Sequence, residues 1–315
     1  VKMGVMGAGA VGGYFGGLLA KSGVDVRFLV RPARAAQLQK EGFSVRSVHG
    51  DFSIDPVVTT SIADMEDVDV LLLAVKNYHL TNALPDLKAL AKKGVVLLPL
   101  LNGVRHMDEL MNAVDPGHLL GGSCYIEVTL DERGHVVQTS DIRDLVFGPL
   151  RGAQTVREDL PDLLLRLQDV FTNAGFPGLL HQEIMREMWK KYVFLCAFSG
   201  VTASTRAPIG VTASTPATRN LYQGMVEELL AVAKARQIGL TDHMVDVMMQ
   251  RLDQIDPNMT SSLHRDLAKG LPLEVDSLQG ALIDMAREEG IATPWHQAVY
   301  AVLAPYRMGA RFAAE

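Results

Sequence analysis

Gly7-Ala8-Gly9-Ala10-Val11-Gly12 fits the pattern G-x-G-x-x-G, in which a turn presents backbone N–H groups to a pyrophosphate. Alone the pattern is weak, since glycine-rich turns also serve packing. Here it follows an apolar run, Lys2 to Met6, opens a helical segment from Val11 to Lys21, and is succeeded by a second apolar run, Val24 to Val30. That strand, turn, helix and strand order is the setting a dinucleotide site requires. Gly7 permits the tight turn, Gly9 the close approach of backbone to phosphate, and Gly12 the contact of helix with strand. A site that prefers NAD places Asp or Glu at the end of the second strand to accept from the ribose hydroxyls. This chain has Arg31 there, with Arg34 one helical turn on. A guanidinium has no acceptor atom but pairs well with a 2'-phosphate, so the cofactor expected is NADP(H); the competing reading is a solvated surface arginine.

Ligands of open parallel sheets bind beyond the carboxyl ends of the strands. Lys76 directly follows the run Val70 to Val75, and Asn102-Gly103 follows the run ending at Leu101, which puts a cation and an amide beside the expected nicotinamide region. Each could equally be a strand-end polar residue reaching water. Farther on, Glu183 to Leu195 reads as a helix that is apolar around most of its circumference, so a lysine near its middle must face a cleft or pair with a carboxylate. Lys191 shares a face with Glu187, Leu195 and Ser199, whereas Lys190 shares one with Arg186 and Phe194; spacing does not choose between them. Thr260-Ser261-Ser262, ahead of Asp266, Glu274 and Asp276, reads on its own as a helix cap followed by a solvated face. The nine histidines show no ligand spacing with cysteines or carboxylates, and no metal is expected.

The chain has 315 residues, 48% of them hydrophobic and 21% charged, enough apolar material for two ordinary domains. A formal charge of -6 argues against nucleic acid as a partner. No run resembles a membrane span or a signal peptide, and two cysteines in apolar runs indicate a reducing compartment, so a cytoplasmic protein is expected. The first half alternates short apolar runs with helical spacing, as parallel sheets with crossover helices do. Strands are expected at Lys2 to Met6, Asp25 to Val30, Asp69 to Val75, Val95 to Leu100 and Leu119 to Ile126, the third and fourth central, with hairpins at 42–58 and 128–147 attached to the same sheet. From about Gln182 apolar residues recur three and four apart, so the second half is helical. The breakers Asn173 to Gly178 put the boundary near residue 180, giving domains 1–180 and 181–315.

Together the Gly7-x-Gly9-x-x-Gly12 turn, Arg31, Val75-Lys76, Asn102-Gly103, Trp189-Lys190-Lys191, and Ser261-Ser262 followed by Glu274-Val275-Asp276 resemble the ketopantoate reductase (2-dehydropantoate 2-reductase) family along nearly the whole chain. The resemblance implies a doubly wound α/β Rossmann domain followed by an all-α domain like the C-terminal one of 6-phosphogluconate dehydrogenase. It implies NADPH, a 2-oxo acid substrate and a place in pantothenate and coenzyme A synthesis. By position, Lys191 matches the family's general acid, Lys76 and Asn102 its pair near nicotinamide and substrate, Ser262 a substrate-contacting serine and Glu274 the active-site glutamate. Ser199 is placed among the substrate contacts, and a homodimer is the assembly considered. Leu195 and Ser199 stand four and eight residues past Lys191 where the family usually carries asparagines, and Pro208-Ile209-Gly210 replaces a Pro-Asn-Gly segment. Two other readings therefore stand beside ketopantoate reduction: a sister reductase of another 2-oxo acid, and a non-catalytic NADP-binding regulator.

Overall fold

A computed structural model describes residues 1 to 153 and 157 to 309. The chain divides into two compact units, Val1–Leu101 with His106–Glu187, and Asn102–Arg105 with residues 188 to 309.

The first unit runs β1 (Met3–Met6), α1 (Ala10–Lys21), β2 (Val26–Leu29), α2 (Pro32–Glu41), β3 (Phe43–Ser47), β4 (Phe52–Ile54), β5 (Val57–Thr59), β6 (Val70–Leu73), α3 (Leu80–Lys92), β7 (Val96–Pro99), α4 (Arg105–Ala113), β8 (Leu120–Leu130), β9 (Val136–Pro149), α5 (Leu160–Asn173) and β10 (Gly178–Leu180). Five strands form a parallel sheet in the order β5-β2-β1-β6-β7, with Met3 beside both Val26 and Val70. Every residue of β1, β6 and β7 is buried, so their sequences are continuous apolar runs without alternation. β6 is internal as expected, whereas β7 closes the ladder; beyond it, among the described residues, lies an isolated parallel bridge from Leu97 to Leu119.

Apart from Val57 and Val58, which enter β5 of that sheet, the expected hairpins do not extend it. They build a second one, ordered β10-β9-β3-β4, with β8 paired antiparallel to β9. The run beginning at Leu119 belongs here too, because β8 continues to Leu130 and zips against β9 rather than joining β7. β9 is long enough to take two parallel partners in succession, β3 through Val45 opposite Val136 and β10 through Gly178 opposite Leu145. One aromatic core joins these layers: Phe15 meets Phe176 at 4.9 Å, and Phe171 meets both Phe176 and Phe147.

The second unit is helical: α6 (Ile184–Thr205), whose first turn belongs to the first unit, then α7 (Ile209–Ser214), α8 (Pro216–Ala235), α9 (Met244–Gln254), α10 (Ser262–Ala268), a π-helical turn (Asp276–Gly280), α11 (Ala281–Glu288) and α12 (Pro294–Leu303). Trp189, Tyr192, Val193, Cys196, Ala197 and Val201 bury most of the circumference of α6, as its composition demands. Glu228 on α8 accepts from the Trp295 and His296 amides at 2.8 and 3.0 Å, so a buried carboxylate closes the start of α12. Ser261 caps α10, accepting from the His264 amide at 3.0 Å and from the Thr202 hydroxyl of α6 at 2.8 Å. Ser261→Ala removes both bonds and is expected to cost about 1 to 2 kcal/mol, read from urea unfolding. Among the described residues, no helix is long and apolar enough to cross a membrane.

Candidate active site

Gly7 adopts φ +98°, and a Cβ there would sit 2.9 Å from the Ala74 carbonyl oxygen; a Cβ on Gly12 would strike the Gly7 carbonyl oxygen. The turn is therefore compact enough that α1 starts directly over β1. Gly9 is the N-cap of α1, and a Cβ built on it meets nothing within 4 Å. α1 has no capping side chain and no acid in its first turn, which leaves its first amides for an external anion. These features fit the pyrophosphate of a dinucleotide.

A cavity of about 510 Å³ opens from this turn. Gly7, Ala8 and Gly9 line it, as do Arg31, Arg34 and Lys76. Ala10 and Val11 begin α1 without lining it, and Gly12 is buried behind it. Arg31 is exposed at the cavity, the N-cap of α2, and its side chain has no carboxylate partner among the described residues. Arg34 is half-buried, donating Nε to the Ala8 carbonyl at 2.9 Å and Nη1 to Gln37 at 2.7 Å. It therefore braces the glycine turn, a role its spacing did not reveal. Lys76 is exposed at the start of a 3-10 turn, Asn77–His79. His79 lines the same cavity and escaped the sequence reading, which had no pattern to mark it. Burial first, and the Arg31 charge second, hold its imidazole below the ordinary histidine value.

The other expected residues belong to the second unit. Lys191 lies half-buried on α6 and donates Nζ to Asn102 Oδ1 at 3.4 Å. The side-chain geometry thus joins two residues that sequence spacing left 89 positions apart. Gly103 makes the approach possible: its φ is +83°, and a Cβ would lie 2.9 Å from the Ser277 carbonyl oxygen. Tyr192 donates to the Leu278 carbonyl at 2.6 Å, tying α6 to the same π-helical turn. Gly280 N–H reaches the Val275 carbonyl, the wide bond of a π-turn, a feature frequent at functional sites. Glu274 precedes this turn and is buried, and its backbone carbonyl accepts from Ser277 and Leu278. Ser262 is the first residue of α10 and is half-exposed.

Ser199 is not brought to this surface. It is 0% exposed, its hydroxyl donating to the Cys196 carbonyl and accepting from Gln279 Nε2 at 3.1 Å. The face it shares with Lys191 is covered by the π-turn at that level, so packing claims the hydroxyl.

Glu288 holds the far end of the Asn102 tetrapeptide, taking Arg105 at 2.8 Å and Arg236 at 2.7 Å. The Arg105 hydrogen bond, followed by its charge and then Arg236, holds this carboxyl below its ordinary value. Because the folded value is depressed, its stabilisation is complete above the ordinary carboxylate range and disappears as pH falls through the folded value. Glu288→Gln is expected to flatten the acid limb of a melting temperature against pH profile, with a small effect because the pair is partly exposed.

A strand, glycine turn and helix with a basic second strand end, followed by a helical unit, define a Rossmann-type oxidoreductase whose cofactor is a nicotinamide dinucleotide. A family model described as ketopantoate reductase PanE/ApbA matches residues 3–152, and the corresponding C-terminal model matches residues 183–307. The chain belongs to the ketopantoate reductase family. It is 34% identical over 306 residues to the oxidoreductase YkpB of Bacillus subtilis, covering 97% of this chain and 99% of that one. To a 2-dehydropantoate 2-reductase of Nostoc it is 26% identical, over 95% of this chain and 93% of that one. The crystal structure of a PanE/ApbA family ketopantoate reductase from Ralstonia eutropha superposes with a TM-score of 0.85 at 25% identity, covering 98% of each chain.

Proposed function

We propose that this chain is an NADPH-dependent reductase of 2-dehydropantoate, making pantoate for pantothenate and coenzyme A synthesis in the cytoplasm. The observation that carries the reading is the Lys191 ammonium held on Asn102, in a chain whose other unit has a dinucleotide cavity ending in Arg31. Gly7, Ala8, Gly9 and the first amides of α1 would hold the pyrophosphate, and Arg31 the 2'-phosphate. When bound, the reduced nicotinamide supplies the hydride for the keto carbon. Lys191 stabilises the negative charge that develops on the keto oxygen and gives that oxygen its proton. Asn102 accepts one of the three ammonium N–H bonds and so fixes the direction of the others. Glu274 orients Lys191 or the substrate hydroxyl, and Ser262 and Lys76 contact the substrate.

A sister activity is favoured by one observation: the positions one and two turns past Lys191 hold a half-buried Leu195 and a sealed Ser199, neither offering an amide. A pocket without those amides suits a 2-oxo acid with a more apolar substituent. NADPH oxidation with 2-dehydropantoate and a panel of branched and aromatic 2-oxo acids decides the matter. A kcat/KM for 2-dehydropantoate at least tenfold above every other acid supports the first reading; equal or lower values give the substrate to the acid that wins.

Cytoplasmic residence is supported by Cys124 and Cys196, which are both buried and form no disulfide among the described residues. A homodimer belongs to the same proposal. Trp295 and Val302, seven residues apart on α12, are 43% and 51% exposed and form an apolar face that sedimentation velocity can test for self-association.

A further inference from the structure

α1 ends in a second cavity, of about 310 Å³, remote from the glycine turn by the length of that helix. At 12 residues, α1 spans roughly 18 Å. Four pieces of the first unit build the walls: the end of α1, the β3–β4 turn, β9 and the end of α5. Lys21, His49 and Arg143 line it, and no carboxylate does. Among the described residues neither the exposed Lys21 nor the half-buried Arg143 has an acidic partner. Lys21 is instead held with Nζ 4.8 Å from the Phe52 ring centre, which fixes the ammonium against an apolar wall. His49 is held in turn by its Nε2, 2.9 Å from the Asp141 carbonyl oxygen.

The C-terminal ends of α1 and α5 bring the negative ends of two helix dipoles here, which the basic side chains must outweigh. The carbonyls of Leu18, Leu19 and Ala20 are taken by the Ser22, Gly23 and Val24 amides, and those of Val170, Phe171 and Thr172 by Ala174, Gly175 and Phe176. Tyr14 also lines the cavity, and its buried hydroxyl has no hydrogen-bond partner among the described residues. An orphaned buried hydroxyl calls for an external partner. Leu18, Phe52 and Ala174 supply apolar surface beside the charges.

We propose that this cavity is a second ligand site, for a small organic anion whose carboxylate or phosphate is held by Lys21 and Arg143 and whose apolar body lies on Phe52 and Leu18. The volume is that of a small-molecule site at the lower end of the usual range. The site is separate from the dinucleotide cavity, with which it shares no lining residue.

Benzoate and phenyl phosphate serve as probes for the two head groups, with benzyl alcohol as the neutral control. Titration into the full chain saturated with NADPH, followed by calorimetry, is expected to show one of the anions binding at least tenfold more tightly than benzyl alcohol. Whichever anion binds better identifies the head group. Lys21→Glu with Arg143→Glu should weaken that anion at least tenfold, and Lys21→Gln with Arg143→Gln at least fivefold. The glutamine pair keeps the test open if charge reversal disturbs folding, which thermal unfolding and NADPH affinity report. The proposal is overturned if neither anion binds, if the neutral control binds as well, or if both doubly substituted proteins retain wild-type affinity.

Discussion

Replacing Lys191 with alanine is expected to lower kcat by about two to four orders of magnitude, the usual range for loss of a positioned proton donor, while NADPH affinity stays within about twofold. The separation of effects follows from the partition of residues. Everything that lines the dinucleotide cavity belongs to the first unit, and Lys191 and Asn102 belong to the second. Lys191→Arg is the sharper variant: it keeps the positive charge on α6 but holds its proton too tightly to give it up, so kcat should stay low even where charge stabilisation is partly restored. Asn102→Ala should act more mildly, raising the barrier by the value of one charge-assisted hydrogen bond, about 1.5 to 3 kcal/mol, or roughly 10- to 150-fold in kcat. Stopped-flow measurement of NADPH oxidation, with fluorescence titration of NADPH, checks all three. An alanine variant with unchanged kcat removes Lys191 from the chemistry, whatever the substrate.

The parts of this molecule that could be read in sequence are those whose constraints are local. The glycine turn is one, since three glycines at fixed spacing between two apolar runs leave the backbone few alternatives. The runs of β1 and β6 are another, because a strand covered on both faces tolerates nothing polar. Pairing between distant segments was less legible. The long β8–β9 hairpin looks from its sequence like one more strand of the parallel sheet plus a hairpin attached to that sheet, and its register from Leu120 opposite Pro149 to Leu130 opposite Val136 places it in the second sheet. The allegiance of Asn102–Arg105 to the helical unit rests on the glycine at 103 and on the Arg105–Glu288 pair, 183 positions apart, which no periodicity reports. Ser199 fell the other way: helical spacing put it on the face of Lys191, and the π-turn residue Gln279 then sealed that face.

The strand-end arginines are expected to separate in their effects on the two forms of the cofactor. Arg31 is the exposed one, at the cavity and without a carboxylate partner among the described residues, so its charge is available to a 2'-phosphate. A charge-assisted contact of this kind contributes about 1.5 to 3 kcal/mol, and Arg31→Asp adds repulsion of the phosphate while offering an acceptor to a ribose hydroxyl. The ratio of NADPH to NADH affinity should therefore fall by roughly a hundredfold or more. Arg34 is committed elsewhere. Burial pulls its guanidinium below the ordinary arginine value without discharging it, and its Nε bond to the Ala8 carbonyl holds the glycine turn itself. Arg34→Leu should loosen that turn and weaken NADPH and NADH alike, by about tenfold each, with little change in their ratio. Dissociation constants for both cofactors on both variants test the division. If Arg34→Leu changes the ratio and Arg31→Asp does not, the 2'-phosphate belongs to the half-buried arginine and the exposed one is a solvated cap of α2.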